Sequence, residues 1–102
     1  MALEEAQELA REVPRWRLTE KLIERDFAFK DFREAVDFVN NVADIADAQG
    51  HHPDITISYN KVRLTLTTHK IRGLSRNDFI VAAMIDHSVE GAVGVEYRTG
   101  KP

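Results

Sequence analysis

Three of the chain's four histidines fall in two short pieces, His51-His52-Pro53 and Thr68-His69. Imidazole is the side chain whose ordinary titration lies between about pH 5 and 8. Three gathered together point to proton transfer or to metal binding, and the neighbouring residues bear on which. Asp47 stands one helical turn before His51, where its carboxylate would accept a hydrogen bond from the His51 ring and fix its tautomer. Gly50 lets the chain leave the helix sharply. Pro53 biases His52 toward extended backbone and restricts where its ring points. His69 follows the last alternating residue of a strand pattern, and strand ends on a rigid scaffold commonly carry catalytic side chains. Zinc requires three or four converging ligands. Neighbouring side chains in an extended segment point apart, so His51 and His52 make poor partners on one ion and no metal site is expected. The plain alternative is a pair of solvated polar residues on a surface loop.

The elements that would carry these residues are legible in the periodicity. Residues 2–12 are rich in helix formers and are closed off by Pro14. Trp16 and Leu18 alternate with arginines, and Ile23, Arg25, Phe27 and Phe29 continue an alternation, which together read as a hairpin. Asp31 and Glu34 make a capping box for a helix whose apolar stripe is expected at Phe32, Val36, Val39, Ala43 and Ala46, with Gly50 as C-cap. Ile55, Ile57 and Tyr59, then Val62, Leu64 and Leu66, form a second hairpin turning at Asn60-Lys61. Ser75 and Asp78 cap a last helix bearing Phe79, Ala82, Ala83 and Ile85. That cap is a sufficient structural role for Asp78. His87, near the helix end, would meet its dipole. Trp16 and the set Phe27, Phe29 and Phe32 read as core.

The order is therefore α-β-β-α-β-β-α. It predicts an α+β, two-layer domain over residues 1–90, a four-stranded antiparallel sheet with helices on one face. Residues 91–102, with three glycines and a proline, form a C-terminal tail in which Val93 to Tyr97 has strand character. One sheet face and two edges are left open, and self-association would protect them.

Bulk properties narrow the function. A chain of 102 residues holds one small domain. Its net charge of −3 disfavours direct nucleic-acid binding and a basic membrane patch. Cysteine is absent, which removes disulfides, thiol nucleophiles and thiolate metal sites. No apolar run is long enough for a membrane span and the N-terminus lacks the layout of a signal peptide, so a soluble, cytoplasmic protein is expected.

These residues resemble the pterin-4a-carbinolamine dehydratases. The family pattern runs through Asp47, His51, His52, Pro53, Tyr59, His69 and Asp78 in order and spacing. Phe29-Lys30-Asp31-Phe32, Tyr59-Asn60-Lys61-Val62, Thr68-His69, Gly73-Leu74-Ser75 and Trp16 add to it, and the match covers about Val13 to Ile85. The resemblance implies dehydration of a 4a-hydroxytetrahydropterin to quinonoid dihydropterin and water, as in tetrahydrobiopterin recycling, with no cofactor besides the pterin substrate. His51, His52 and His69 would be the catalytic residues. Asp47, Gly50, Pro53, Thr67, Thr68 and Trp16 would hold the substrate, with Asp47 orienting His51.

A homodimer or homotetramer is implied, and a protein partner is possible, since some members also act as dimerisation cofactors for a transcription factor. A pterin-binding regulator without catalysis is the other rival. Three features depart from the family. Gly50 stands where Asp or Asn is frequent, Lys70 replaces an acidic residue of some members, and the segment from Ser88 onward has no counterpart.

Overall fold

The computed structural model describes residues 1–90 and the backbone of Arg98–Thr99. Helix α1 (Leu3–Ala10) is followed by strands β1 (Arg17–Leu18) and β2 (Ile23–Ala28), helix α2 (Phe32–Gln49), strands β3 (Asp54–Ser58) and β4 (Lys61–Leu66), helix α3 (Arg76–Glu90) and a short strand β5 (Arg98–Thr99). Four strands form an antiparallel sheet in the order β1-β2-β4-β3, and β5 pairs with β2 beyond β1. The expected α+β architecture is therefore present. The expected extended piece at Val93 to Tyr97 lies outside the described residues.

Alternation builds the sheet and decides its faces. Ile23, Arg25 and Phe27 on β2, with Val62, Leu64 and Leu66 on β4, point into the core, and the residues between them face away. On the outer face Arg17 bonds Glu24 at 2.7 Å and Arg63 bonds Asp26 at 2.7 Å. Residues directly opposite on paired strands share a face, so the register puts Ile55 opposite Leu64 and Ile57 opposite Val62, on the helix side. Both remain exposed, because the helical layer does not reach over β3.

Helix α2 starts as its sequence dictates. Asp31 accepts the Glu34 N–H at 2.9 Å, and Glu34 accepts the Lys30 N–H at 3.0 Å. It ends at Gly50, whose φ of 62° is the left-handed conformation that glycine takes without penalty. Its buried stripe is Ala35, Phe38, Val42 and Ala46, which corrects the expected one. Phe32 is 53% exposed at the helix start, and Phe38 takes its place among the aromatics, 4.6 Å from Phe27 and 5.0 Å from Phe29 between ring centroids. Ala43 and, on α3, Ala83 also face outward.

Two further differences are local. Helix α1 stops at Ala10 and tightens into three-residue turns through Val13. The second hairpin turns at Tyr59-Asn60, with Tyr59 at φ 52°, and not at Asn60-Lys61. The turn is clasped to the neighbouring strand end. Asn60 Nδ2 donates to the Phe29 carbonyl at 2.8 Å, and the Phe29 N–H donates to the Asn60 carbonyl at 2.8 Å.

Sheet and helices are also tied by a buried polar trio. Arg25 lies over the Phe27 ring and donates to Asp86 of α3 at 2.5 Å, and the Trp16 indole N–H donates to the same oxygen at 2.8 Å. Asp86 thus anchors α3 to both β2 and the segment before β1.

Candidate active site

The register of the second hairpin determines which loop residues meet. Asp54 pairs with Thr65. The pairing ends there, so His51, His52 and Pro53 run on from the end of β3 at which β4 leads into Thr67 and Thr68. The loop that follows β4 is closed by Thr68 and Gly73, whose backbones pair at 2.8 Å and 3.4 Å. Within it a single 3-10 turn, His69–Ile71, presents the exposed His69.

Asp78 joins the two loops. It is fully buried in the first turn of α3. One carboxylate oxygen, Oδ1, lies 2.5 Å from His51 Nε2. The other, Oδ2, accepts the Thr68 hydroxyl at 2.9 Å and the Ser75 backbone N–H at 2.9 Å. The Ser75 and Thr68 hydroxyl oxygens are 2.6 Å apart. A carboxylate that accepts on both oxygens assigns the proton of the neutral His51 ring to Nε2 and leaves Nδ1 as its acceptor. The His51 side chain is 14% exposed, so the ring reaches the surface with its back held.

This geometry corrects the expected partner of His51. Asp47 instead bonds His52 Nε2 at 2.9 Å, and both side chains are largely exposed. The helix ends between Asp47 and His51, and the left-handed turn at Gly50 swings His51 inward and His52 toward the carboxylate. Thr67 ties strand ends together, donating to the Lys21 carbonyl at 2.6 Å. Trp16 is likewise corrected as a substrate contact. Only 4% of it is exposed and its N–H is engaged by Asp86, so no ring face is free for a ligand. His87 is exposed in the last turn of α3.

Asp78 and Ser75 stand in the family pattern and in the helix cap, but not among the site residues expected from the sequence. The signal was partial: a capping carboxylate uses one oxygen on the backbone, and an Asp followed by Phe79, Val81 and Ala82 sits on a helix face that turns inward. Among the described residues no group of three or more His, Cys, Asp or Glu is placed to hold a metal ion. No helix among them is long and apolar enough to cross a membrane.

Comparison with known proteins decides the family. A family model described as pterin 4 alpha carbinolamine dehydratase matches residues 1–88. The chain belongs to the pterin-4-alpha-carbinolamine dehydratase family. A relative from Rubrobacter xylanophilus, provisionally named as such a dehydratase, is 46% identical over 84 residues, covering 81% of this chain and 78% of its own. Another of the same provisional name, from Methylococcus capsulatus, is 46% identical over 88 residues, covering 84% and 77%. A crystal structure from Brucella melitensis, described as a transcriptional coactivator/pterin dehydratase, superposes with a TM-score of 0.80 at 31% identity, over 85% of this chain and 95% of that one. A pterin dehydratase-like protein described as a RuBisCO assembly factor shares the fold, with a TM-score of 0.58 at 22% identity over 72% of this chain and 84% of that one. The dehydratase family's antiparallel sheet with helices is thus the fold seen here.

Proposed function

We propose that the protein dehydrates a 4a-hydroxytetrahydropterin. The C4a–O bond breaks, the leaving oxygen takes a proton and departs as water, N5 gives up its proton, and a C4a–N5 double bond forms. The step needs one group to donate a proton and one to accept it, each contributing about 10²–10⁴-fold when well placed. His51, His52 and His69 are assigned these proton transfers. The observation that carries the reading is the His51–Asp78 contact in a chain of this family. It holds one imidazole in a fixed direction with Nδ1 as its accepting nitrogen. The substrate role belongs to the loops around it, with Thr68, Pro53 and the Gly50 backbone beside the histidines and Asp47 behind His52. Tetrahydropterin recycling after an aromatic amino acid hydroxylase is the corresponding physiological place.

Spectrophotometric turnover of freshly generated 4a-hydroxytetrahydropterin tests this. The parent protein should accelerate dehydration well above the spontaneous rate, and His52→Ala should remove most of that acceleration without unfolding the domain. Near-parental turnover in the variant would remove His52 from the mechanism.

A second reading is a protein-partner role, supported by the solved relative described as both coactivator and dehydratase. A parent protein that binds pterin but does not turn it over would favour the regulatory reading. We also propose a homodimer or homotetramer. The open edge of β3, with Ile55 and Ile57 exposed, supports it, and sedimentation would distinguish the two.

A further inference from the structure

We infer that Ser75 is a positioning residue for His51, acting through Thr68 and Asp78. Three hydrogen bonds fix the direction of the chain of contacts. Thr68 has a single hydroxyl proton, and it points to Asp78 Oδ2. The proton between the two hydroxyls must therefore come from Ser75, so Ser75 donates to Thr68 and Thr68 donates to Asp78. The Ser75 backbone N–H meets the same carboxylate oxygen. Oδ2 is thereby pinned from two sides, and Oδ1 is left aimed at His51 Nε2.

The Ser75 hydroxyl is not engaged in capping α3. It stands at the N-cap position, but its oxygen is turned to Thr68, and the reciprocal arm from the Ser75 N–H to Asp78 carries the cap. The side chain is thus free of the usual duty of an N-cap serine. It instead stops the Thr68 hydroxyl from rotating away from a fully buried carboxylate. The result at the far end is one tautomer of His51, Nε2–H, with Nδ1 accepting. The kinetic consequence rests on the dehydratase reading. The tautomer consequence rests on the geometry alone.

The test uses the full-length protein with ring-labelled histidine and follows the His51 ring nitrogens by NMR over a pH series, the tautomer being read where the ring carries a single proton, with His51→Gln assigning the signals. The parent should show Nε2 protonated and Nδ1 unprotonated. In Ser75→Ala the two nitrogens should move toward averaged shifts. Turnover number should fall about three- to tenfold at unchanged KM, the range that one ordinary hydrogen bond carries. Ser75→Thr, which keeps the hydroxyl, should restore both readouts.

Should Ser75→Ala fail to fold, Thr68→Val removes the middle link at nearly constant shape and should show the same averaging. A parent ring protonated on Nδ1 overturns the inference, as does a Ser75→Ala protein that keeps the single tautomer, whatever its rate. A parent protein without dehydratase turnover overturns the functional reading and leaves the NMR comparison to judge Ser75.

Discussion

His51 Nε2 and Asp78 Oδ1 lie 2.5 Å apart, which joins the loop after one helix to the first turn of another. Both Asp78 oxygens accept hydrogen bonds, and the Ser75 backbone N–H cannot reverse its role. In Asp78→Asn the amide oxygen therefore stays with Ser75, and the amide NH2 turns to His51. The ring must then accept on Nε2 and carry its proton on Nδ1. Turnover should fall by about 10²–10⁴, as expected when a general acid–base group is lost. Helical circular dichroism should be unchanged. A variant with parental turnover would show that the tautomer is immaterial.

The exposed Asp47–His52 pair should behave differently. Exposed charge pairs contribute little because water screens them and two side chains must be ordered. Asp47→Asn should leave the urea midpoint unchanged and lower turnover less than about tenfold, the most that one hydrogen bond of ordinary strength supplies. A hundredfold loss would give Asp47 a direct part in the proton transfers.

The Arg25–Asp86 contact should dominate stability. Removing one partner of a buried ion pair costs about 3–5 kcal/mol. Asp86→Ala should show that loss in urea unfolding, while turnover per folded molecule stays near parental, since Asp86 lies about 12 Å along α3 from Asp78 at the usual rise per residue. Trp16→Phe removes one donor to Asp86 and also shrinks a buried indole to a phenyl ring, so it should cost more than the about 1 kcal/mol of the hydrogen bond alone.

Gly50 offers a test of backbone conformation free of steric contact. A Cβ added there meets nothing within 4 Å, but its φ of 62° is strained for most side chains. Gly50→Ala should cost about 1 kcal/mol in thermal or urea unfolding. Gly50→Asn should cost less, because Asn tolerates the left-handed region. Equal stability of the two would put the cost elsewhere than in backbone conformation.

Acid should weaken the outer sheet face. The hydrogen bond from Arg17 holds Glu24 below the usual carboxylate range, and that from Arg63 does the same for Asp26. A carboxyl lowered in the folded state stabilises it above the ordinary carboxylate range. That contribution is lost as pH falls through the lowered values. The urea midpoints of the parent and a Glu24→Gln/Asp26→Asn double variant should therefore differ modestly at neutral pH and converge in acid. High salt should narrow the neutral difference. A gap that persists in acid would mean that the two carboxylates stabilise by packing instead.

Most of the fold was legible because each element announces its own period and its own stops. Asp31 with Glu34 starts α2, Gly50 ends it, and the two runs of alternation make the hairpins. What was not legible depends on contacts between distant segments. The two candidate stripes on α2 share Ala46 and differ by less than a third of a turn, so only packing against Phe27 and Phe29 selects Phe38 over Phe32. Asp78 could be read as a cap from three residues of local sequence, but its second oxygen meets a histidine 27 residues away. Arg25 did carry a usable signal. It shares the alternation of Ile23 and Phe27, so it had to point inward, and a buried arginine requires a carboxylate.

The clasp between Asn60 and Phe29 has a consequence at the opposite end of the sheet. Because side chains alternate along a strand, a one-residue slip between β3 and β4 would turn every residue of β3 over, and His51 would no longer arrive beside Thr68. The turn at Tyr59-Asn60 is the stop that prevents this, held by two bonds to a third segment. It lies about 17 Å from the histidine loop along a five-residue strand. The hairpin works as a ruler whose zero is set at Asn60 and whose reading is taken at the imidazoles. A one-residue insertion in that turn is thus a remote way to misalign the histidines without touching any of them.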